Sequence, residues 1–149
     1  MEVYTIGFTK KPASKFFGEL RRVGIKQLID VRLNNSSQLA GFTKKDDLIF
    51  FLREICDANY LHEPLLAPTS EILTSYKKKK ITWDDYEKLF FELMTVRKVE
   101  EKINRNILDQ PTVLLCSEPI AAQCHRRLVL EYFQSRWGNF EIIHLNKYI

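Results

Sequence analysis

A chain of 149 residues, 45% apolar and 28% charged, has the length of one α/β domain over 1–149 and enough apolar content to bury a core, which excludes a disordered polypeptide. No apolar run approaches the roughly eighteen residues of a membrane span, and Met1-Glu2-Val3-Tyr4 has no charged-then-apolar signal pattern, so the expected location is the cytoplasm with no membrane partner. The net charge of +4 admits an anionic partner without requiring one, three widely spaced cysteines argue against a disulfide framework, and five scattered glycines form neither a Walker loop nor a Gly-x-Gly-x-x-Gly turn.

In chain order, Val3-Tyr4-Thr5-Ile6-Gly7 is a β-prone run that predicts a first strand. A helix follows, with Pro12 at its first position, a stripe of Phe16, Phe17, Leu20 and Val23, and Gly24 where a C-terminal cap belongs. Gln27 to Val31 predicts a second strand. Thr43-x-x-Asp46 resembles a capping box and opens a helix carrying Leu48, Ile49, Leu52, Ile55 and Cys56, which places Cys56 in packing. Tyr60-Leu61-His62 is a short third strand, and Ser70 to Lys77 suits a short helix. Thr82-x-x-Asp85 opens a long amphipathic segment reaching Ile107, and Val113 to Cys116 is a fourth, buried strand. A helix over Ala121 to Trp137, closed by Gly138, and a strand over Glu141 to Leu145 complete the pattern. Strands alternating with helices predict a three-layer α/β/α sandwich around a mostly parallel sheet of about five strands, in an order the pattern leaves open.

Ligands of open parallel sheets bind beyond the carboxyl ends of the strands, and the chemically distinctive residues fall there repeatedly. Gly7, Asp30 with Arg32, His62, Cys116 with Glu118, and His144 each end a strand, and Cys124-His125-Arg126 stands near the start of the last helix. In the proposed roles Arg32 and Arg126 hold an anion, with Gly7 and His62 as further binding residues. Asp30, Glu118 or His125 moves protons, and Cys124 serves as a nucleophile if exposed and ionised. Each has a plain structural alternative. Cys116, Cys124 and His125 can be core, Asp30 and Arg32 an ion pair, Glu118 a helix cap and Gly7 a turn. Cys116, Cys124, His125, His62 and His144 could supply soft metal ligands, yet their spacing matches no strong zinc signature, so no metal is expected. Neither cysteine is followed by an Arg about six residues on, as in the tight anion loops of rhodaneses and Cys-based phosphatases.

Taken together, Thr5-Ile6-Gly7, Asp30-Val31-Arg32, Tyr60-Leu61-His62-Glu63-Pro64, Trp83-x-x-Tyr86 and Leu114-Leu115-Cys116-x-Glu118-x5-Cys124-His125-Arg126 resemble the "domain of unknown function 488" family. The resemblance covers nearly the whole chain and implies a small α/β protein of bacteria or archaea, with no established reaction or cofactor. The chain has Phe8-Thr9 where family members often carry His-Ser, and Leu66-Ala67-Pro68 in place of a Gly-rich loop.

The leading functional expectation is an enzyme that accepts an anionic, phosphate-bearing substrate, a nucleotide or nucleic-acid end, at the carboxyl edge of the sheet. The alternative is a non-catalytic module that holds nucleic acid or a protein on the same basic edge together with Lys77 to Lys80. Three structural expectations follow. Cys124, Arg126, Asp30 and Arg32 share one cavity; Cys124 outranks Cys56 in thiol reactivity; and an anion sits where the loop Ser117 to Ala122 enters the last helix.

Overall fold

A computed structural model of the chain describes residues 1–35, 41–117 and 123–145. Five strands, β1 (Glu2–Gly7), β2 (Gln27–Asp30), β3 (Asn59–His62), β4 (Thr112–Cys116) and β5 (Glu141–His144), form one all-parallel sheet in the order β3-β2-β4-β1-β5. β4 is buried along its whole length, as the central strand of a sheet covered on both faces must be. Six α-helices accompany the strands among the described residues: α1 (Ala13–Val23), α2 (Lys45–Phe51), α3 (Ser70–Lys77), α4 (Trp83–Arg97), α5 (Val99–Lys102) and α6 (His125–Trp137). None is long and apolar enough to cross a membrane.

The side-chain alternation of the strands sorts the core into two layers. Leu28, Val113 and Leu115 pack with Phe16, Phe17 and Leu20 of α1 and with Leu48 and Leu52 around α2. Ile29, Leu114 and Cys116 face the other way, onto Phe90 and Met94 of α4 and Leu128, Val129 and Tyr132 of α6. The three-layer α/β/α arrangement is therefore the one the sequence pattern predicts.

Local signals mark several helix ends. Gly24 closes α1 at φ 70°, a left-handed conformation that costs glycine little. Pro12 stands one position earlier than predicted, as the extended N-cap. Thr82 and Asp85 form a reciprocal capping box at the start of α4.

Two expectations need correction. α2 begins at Lys45 after an extended Lys44, with no side-chain cap, so Thr43-x-x-Asp46 is not its capping box. Thr43 is instead buried in a single 3-10 turn, and its carbonyl serves another group. The long segment to Ile107 breaks at Lys98, whose φ of 53° ends α4 and starts α5. Such a conformation costs a non-glycine residue roughly 1–2 kcal/mol, and here it turns the chain so that Val99 and Ile103 both enter the core. α6 begins at His125, and the predicted start at Ala121 lies outside the described residues.

The order of the strands creates the crevice that matters. β2 leads through α2 outward to β3 on one face, whereas β4 leads through α6 past β1 to β5 on the other. The two chains diverge beyond the carboxyl ends of adjacent strands β2 and β4, which is the topological switch point where open α/β sheets bind ligands.

Candidate functional site

A cavity of ≈ 250 Å³ opens at that switch point. Arg32, Leu33 and Asn34 line it from the chain leaving β2, Cys116 and Ser117 from the end of β4, and Gln123, Cys124 and His125 from the start of α6. Across from them stands an aromatic wall. Trp83 stacks on Tyr86 at 4.7 Å with their planes 15° apart, and Tyr76 meets both rings edge-on. Their positions follow from helical spacing, since residues three apart on α4 share a face and α3 packs beside it. Tyr76 also hydrogen-bonds Gln123 across the opening at 3.4 Å, and the exposed Lys77 completes the rim.

His125 is fixed from below. Its Nε2 lies 2.6 Å from the Val31 carbonyl, an oxygen that can only accept, so Nε2 carries the proton and Nδ1 is the unprotonated nitrogen of the neutral ring. Burial pushes its pKa down to about 4, the nearby Arg126 charge adding to the effect against the pull of the Val31 carbonyl. The ring is therefore neutral at physiological pH.

Cys116 and Cys124 are joined by a disulfide, with their Cα atoms 7.4 Å apart. The expectation that the cysteines form no disulfide framework is thus overturned for two of them, because the start of α6 lies close enough to the end of β4 for the two sulfurs to meet. Cys124 is also buried at 3% exposure, so in this state it is neither ionised nor available as a nucleophile. Cys56, the free cysteine, is half-buried at the end of a π-helical turn (Leu52–Cys56), and burial raises its pKa. The expected ranking of thiol reactivity is reversed for the oxidised protein.

Asp30 and Arg32 occupy a different environment. Asp30 is fully buried and accepts from the Arg32 backbone N–H at 3.1 Å, from Arg32 Nε at 2.9 Å, from Arg32 Nη2 at 2.7 Å and from the Tyr60 hydroxyl at 2.6 Å. Burial, with the Asp30 carboxylate adding to it, drives the Tyr60 phenol well above its ordinary pKa, so it stays a donor. Arg32 Nη2 also donates to the Thr43 carbonyl, and its guanidinium lies over Phe8 at 5.2 Å. Phe8 thus has a reason of its own beyond the end of β1: its ring faces a buried cation. Of the Arg32 nitrogens, Nη1 meets no acceptor among the described residues, and Arg32 lines the cavity.

Of the remaining expected site residues, Gly7, His62 and Arg126 do not line the cavity. His62 uses Nε2 on the Arg32 carbonyl at 2.9 Å, bracing the chain beyond β2. Gly7 pairs with Cys116 in the β1–β4 register. Arg126 is wholly buried, its Nε donating to Thr5 Oγ1 at 3.1 Å and its Nη1 approaching Cys116 Sγ at 4.0 Å. Thr5 in turn bonds His144 Nδ1 at 2.6 Å, so His144 belongs to this buried chain. Glu118, and all but Ser117 of the loop Ser117 to Ala122, lie outside the described residues. Of the four residues expected to share one cavity, Arg32 and Cys124 therefore line it, with His125 beside them, and Asp30 and Arg126 do not.

The reason is register. Asp30 pairs with Leu115, one position short of Cys116, so the two strand-end residues point to opposite faces of the sheet. Sequence reasoning missed the aromatic wall, although Trp83-x-x-Tyr86 carried its helical spacing, and it missed Asn34, Gln123, Tyr60 and Lys11. Lys11 is a half-buried amine beyond β1 that burial pushes down to about 8, and no spacing signalled it.

The match that decides the family covers residues 12–133, the domain of unknown function DUF488. The chain belongs to this family. Its matched span contains every described residue that lines the cavity, so that lining belongs to the DUF488 domain of this chain. No curated protein and no solved structure matches the chain.

Proposed function

We propose that this DUF488 protein is an enzyme whose cavity between β2 and β4 binds an anionic ligand with an aromatic ring, a mononucleotide being the chemistry that fits best. The observation that carries this reading is the pairing of an aromatic wall, Tyr76, Trp83 and Tyr86, with a polar wall that includes Arg32. A base stacks on the first, and such stacking contributes about 1–3 kcal/mol per base. A phosphate meets Arg32 Nη1 on the second, with Lys77 at the rim. The small volume suits one nucleotide, not a dinucleotide. In this reading Asp30, saturated by four donors, positions Arg32 and does not move protons, and chemistry falls to the groups on the cavity floor: Cys116, Cys124 and His125.

One observation favours the alternative of a non-catalytic nucleic-acid module. Lys77 to Lys80 are all exposed and run from the cavity rim, where they can follow a phosphate backbone.

Fluorescence separates the two readings. Trp137→Phe leaves Trp83 as the sole tryptophan, so its emission reports on the wall. Titration with a nucleoside monophosphate is expected to change that emission saturably, with inorganic phosphate binding more weakly and Tyr76→Ala weakening the nucleotide by about fivefold or more. No saturable change with the mononucleotide rejects the cavity reading. Binding of a single-stranded oligonucleotide that is lost on neutralising Lys77 to Lys80, with no response to the mononucleotide, selects the alternative.

A further inference from the structure

The floor of the cavity combines two sulfurs and an imidazole in a way that nucleotide binding does not require. The ligand atoms of Cys116, Cys124 and His125 all lie within 4.8 Å of one another, and all three residues are buried. We propose that, with the cysteines reduced, Cys116, Cys124 and His125 bind a zinc ion whose fourth coordination position faces the cavity. The inference stands on this cluster alone and does not depend on what fills the space above it.

Ligand chemistry selects the ion. Two thiolates and one neutral imidazole form a soft, borderline set with no carboxylate among them, which disfavours magnesium and calcium and suits zinc. Three protein ligands with one position left over is the arrangement of catalytic zinc, and the cavity supplies access to that position.

Geometry agrees. Zinc–sulfur bonds of about 2.3 Å at tetrahedral angles hold two sulfurs roughly 3.8 Å apart, close to the contact distance to which the sulfurs must separate once their bond is reduced. The Cα separation of 7.4 Å is wider than the 4.4–6.8 Å usual for bridged cysteines, so the backbone leaves room for an ion between the side chains.

The surroundings supply the supporting contacts that metal ligands need. A zinc-bound histidine commonly donates its second N–H to a carbonyl, which fixes ring and tautomer, and the bond from His125 Nε2 to the Val31 carbonyl does this, leaving Nδ1 to coordinate. Arg126 Nη1, 4.0 Å from Cys116 Sγ, places a buried cation beside a sulfur that becomes a thiolate. The reaction balances: the added phosphine takes the oxygen of one water and is oxidised to a phosphine oxide, its electron pair and the two protons of that water convert the disulfide into two thiols, and zinc binding then releases two protons as two zinc–sulfur bonds form.

Cobalt(II) tests the site because it takes zinc's place in tetrahedral thiolate centres and is coloured there. The full chain is reduced with a phosphine without oxygen, its free thiols are counted, and cobalt is added. The expected result is one cobalt per chain with intense sulfur-to-metal charge-transfer absorption, displaced by zinc, retained in Cys56→Ser and lost in Cys124→Ser. Reduced, folded protein that shows no such absorption overturns the proposal, as does absorption that survives in Cys124→Ser. Should Cys124→Ser fail to fold, His125→Gln decides: cobalt binding about tenfold or more weaker than wild type supports the site, and unchanged affinity overturns it.

Discussion

At the carboxyl edge of the sheet, the two faces treat similar-looking residues in opposite ways. On the α1/α2 face, Asp30, Arg32, Tyr60 and the Thr43 carbonyl close on one another, and every oxygen of the buried carboxylate is employed. On the α4/α6 face, Cys116, Cys124 and His125 border a cavity. A buried ion pair with its hydrogen bonds complete is a brace; a cluster of ligating atoms beside open space can engage something from outside. Arg32 belongs to both, held by the brace and also lining the cavity. The difference teaches that position at a strand end marks where chemistry can occur, and that the face, set by register, decides which residues can take part.

The largest effect should come from breaking the brace. Asp30→Ala leaves the buried Arg32 charge uncompensated, and removal of one partner from a buried pair costs about 3–5 kcal/mol. Urea unfolding measures it. A loss below about 1 kcal/mol would show that Asp30 is not the anchor of this face.

A smaller effect belongs to the other face and has a sign in pH. His125 is neutral in the fold with its pKa lowered to about 4, against the ordinary 6.5 of an unfolded histidine. The unfolded chain therefore binds the extra proton first. The stability of metal-free protein is fully present above pH 6.5 and declines as pH falls toward 4, by about 3 kcal/mol from this group. Denaturant midpoints of wild type and His125→Gln, compared across that range, isolate the contribution. Parallel profiles would mean that His125 is not held neutral by its surroundings.

The smallest change sharpens the brace without opening it. Tyr60→Phe removes one hydrogen bond to the Asp30 carboxylate while the Arg32 contacts persist, so it should cost about 1.5 kcal/mol and leave ligand binding in the cavity unaltered. A matching loss of ligand affinity would show that the two faces are coupled.

Much of the fold is legible in the sequence because its signals are local. Gly24 after an apolar stripe, Thr82 with Asp85, and the continuous apolar run Val113 to Leu115 each specify an element through the backbone chemistry of a few neighbouring residues. The site is only half legible. Arg32, Cys124 and His125 are recognisable from their types and places, but Asp30 and Arg126 look equally suitable until the pairing of Asp30 with Leu115 and the bond of Arg126 to Thr5 remove both from the cavity. Register is a relation between distant segments, and no spacing within either strand encodes it. The pairing of Cys116 with Cys124 depends likewise on where the start of α6 sits relative to the end of β4, a geometry that eight residues of separation leave open.

The division between a closed brace and an open floor is tested most directly by mapping backbone amide shifts in the nuclear magnetic resonance spectrum while a nucleoside monophosphate is added. Shifts that move together and saturate at Asn34, Tyr76, Ser117, Gln123 and His125, with Asp30, Thr43 and Tyr60 nearly still, are the predicted result. Shifts concentrated around Asp30, Thr43 and Tyr60, with the cavity floor unmoved, would contradict it.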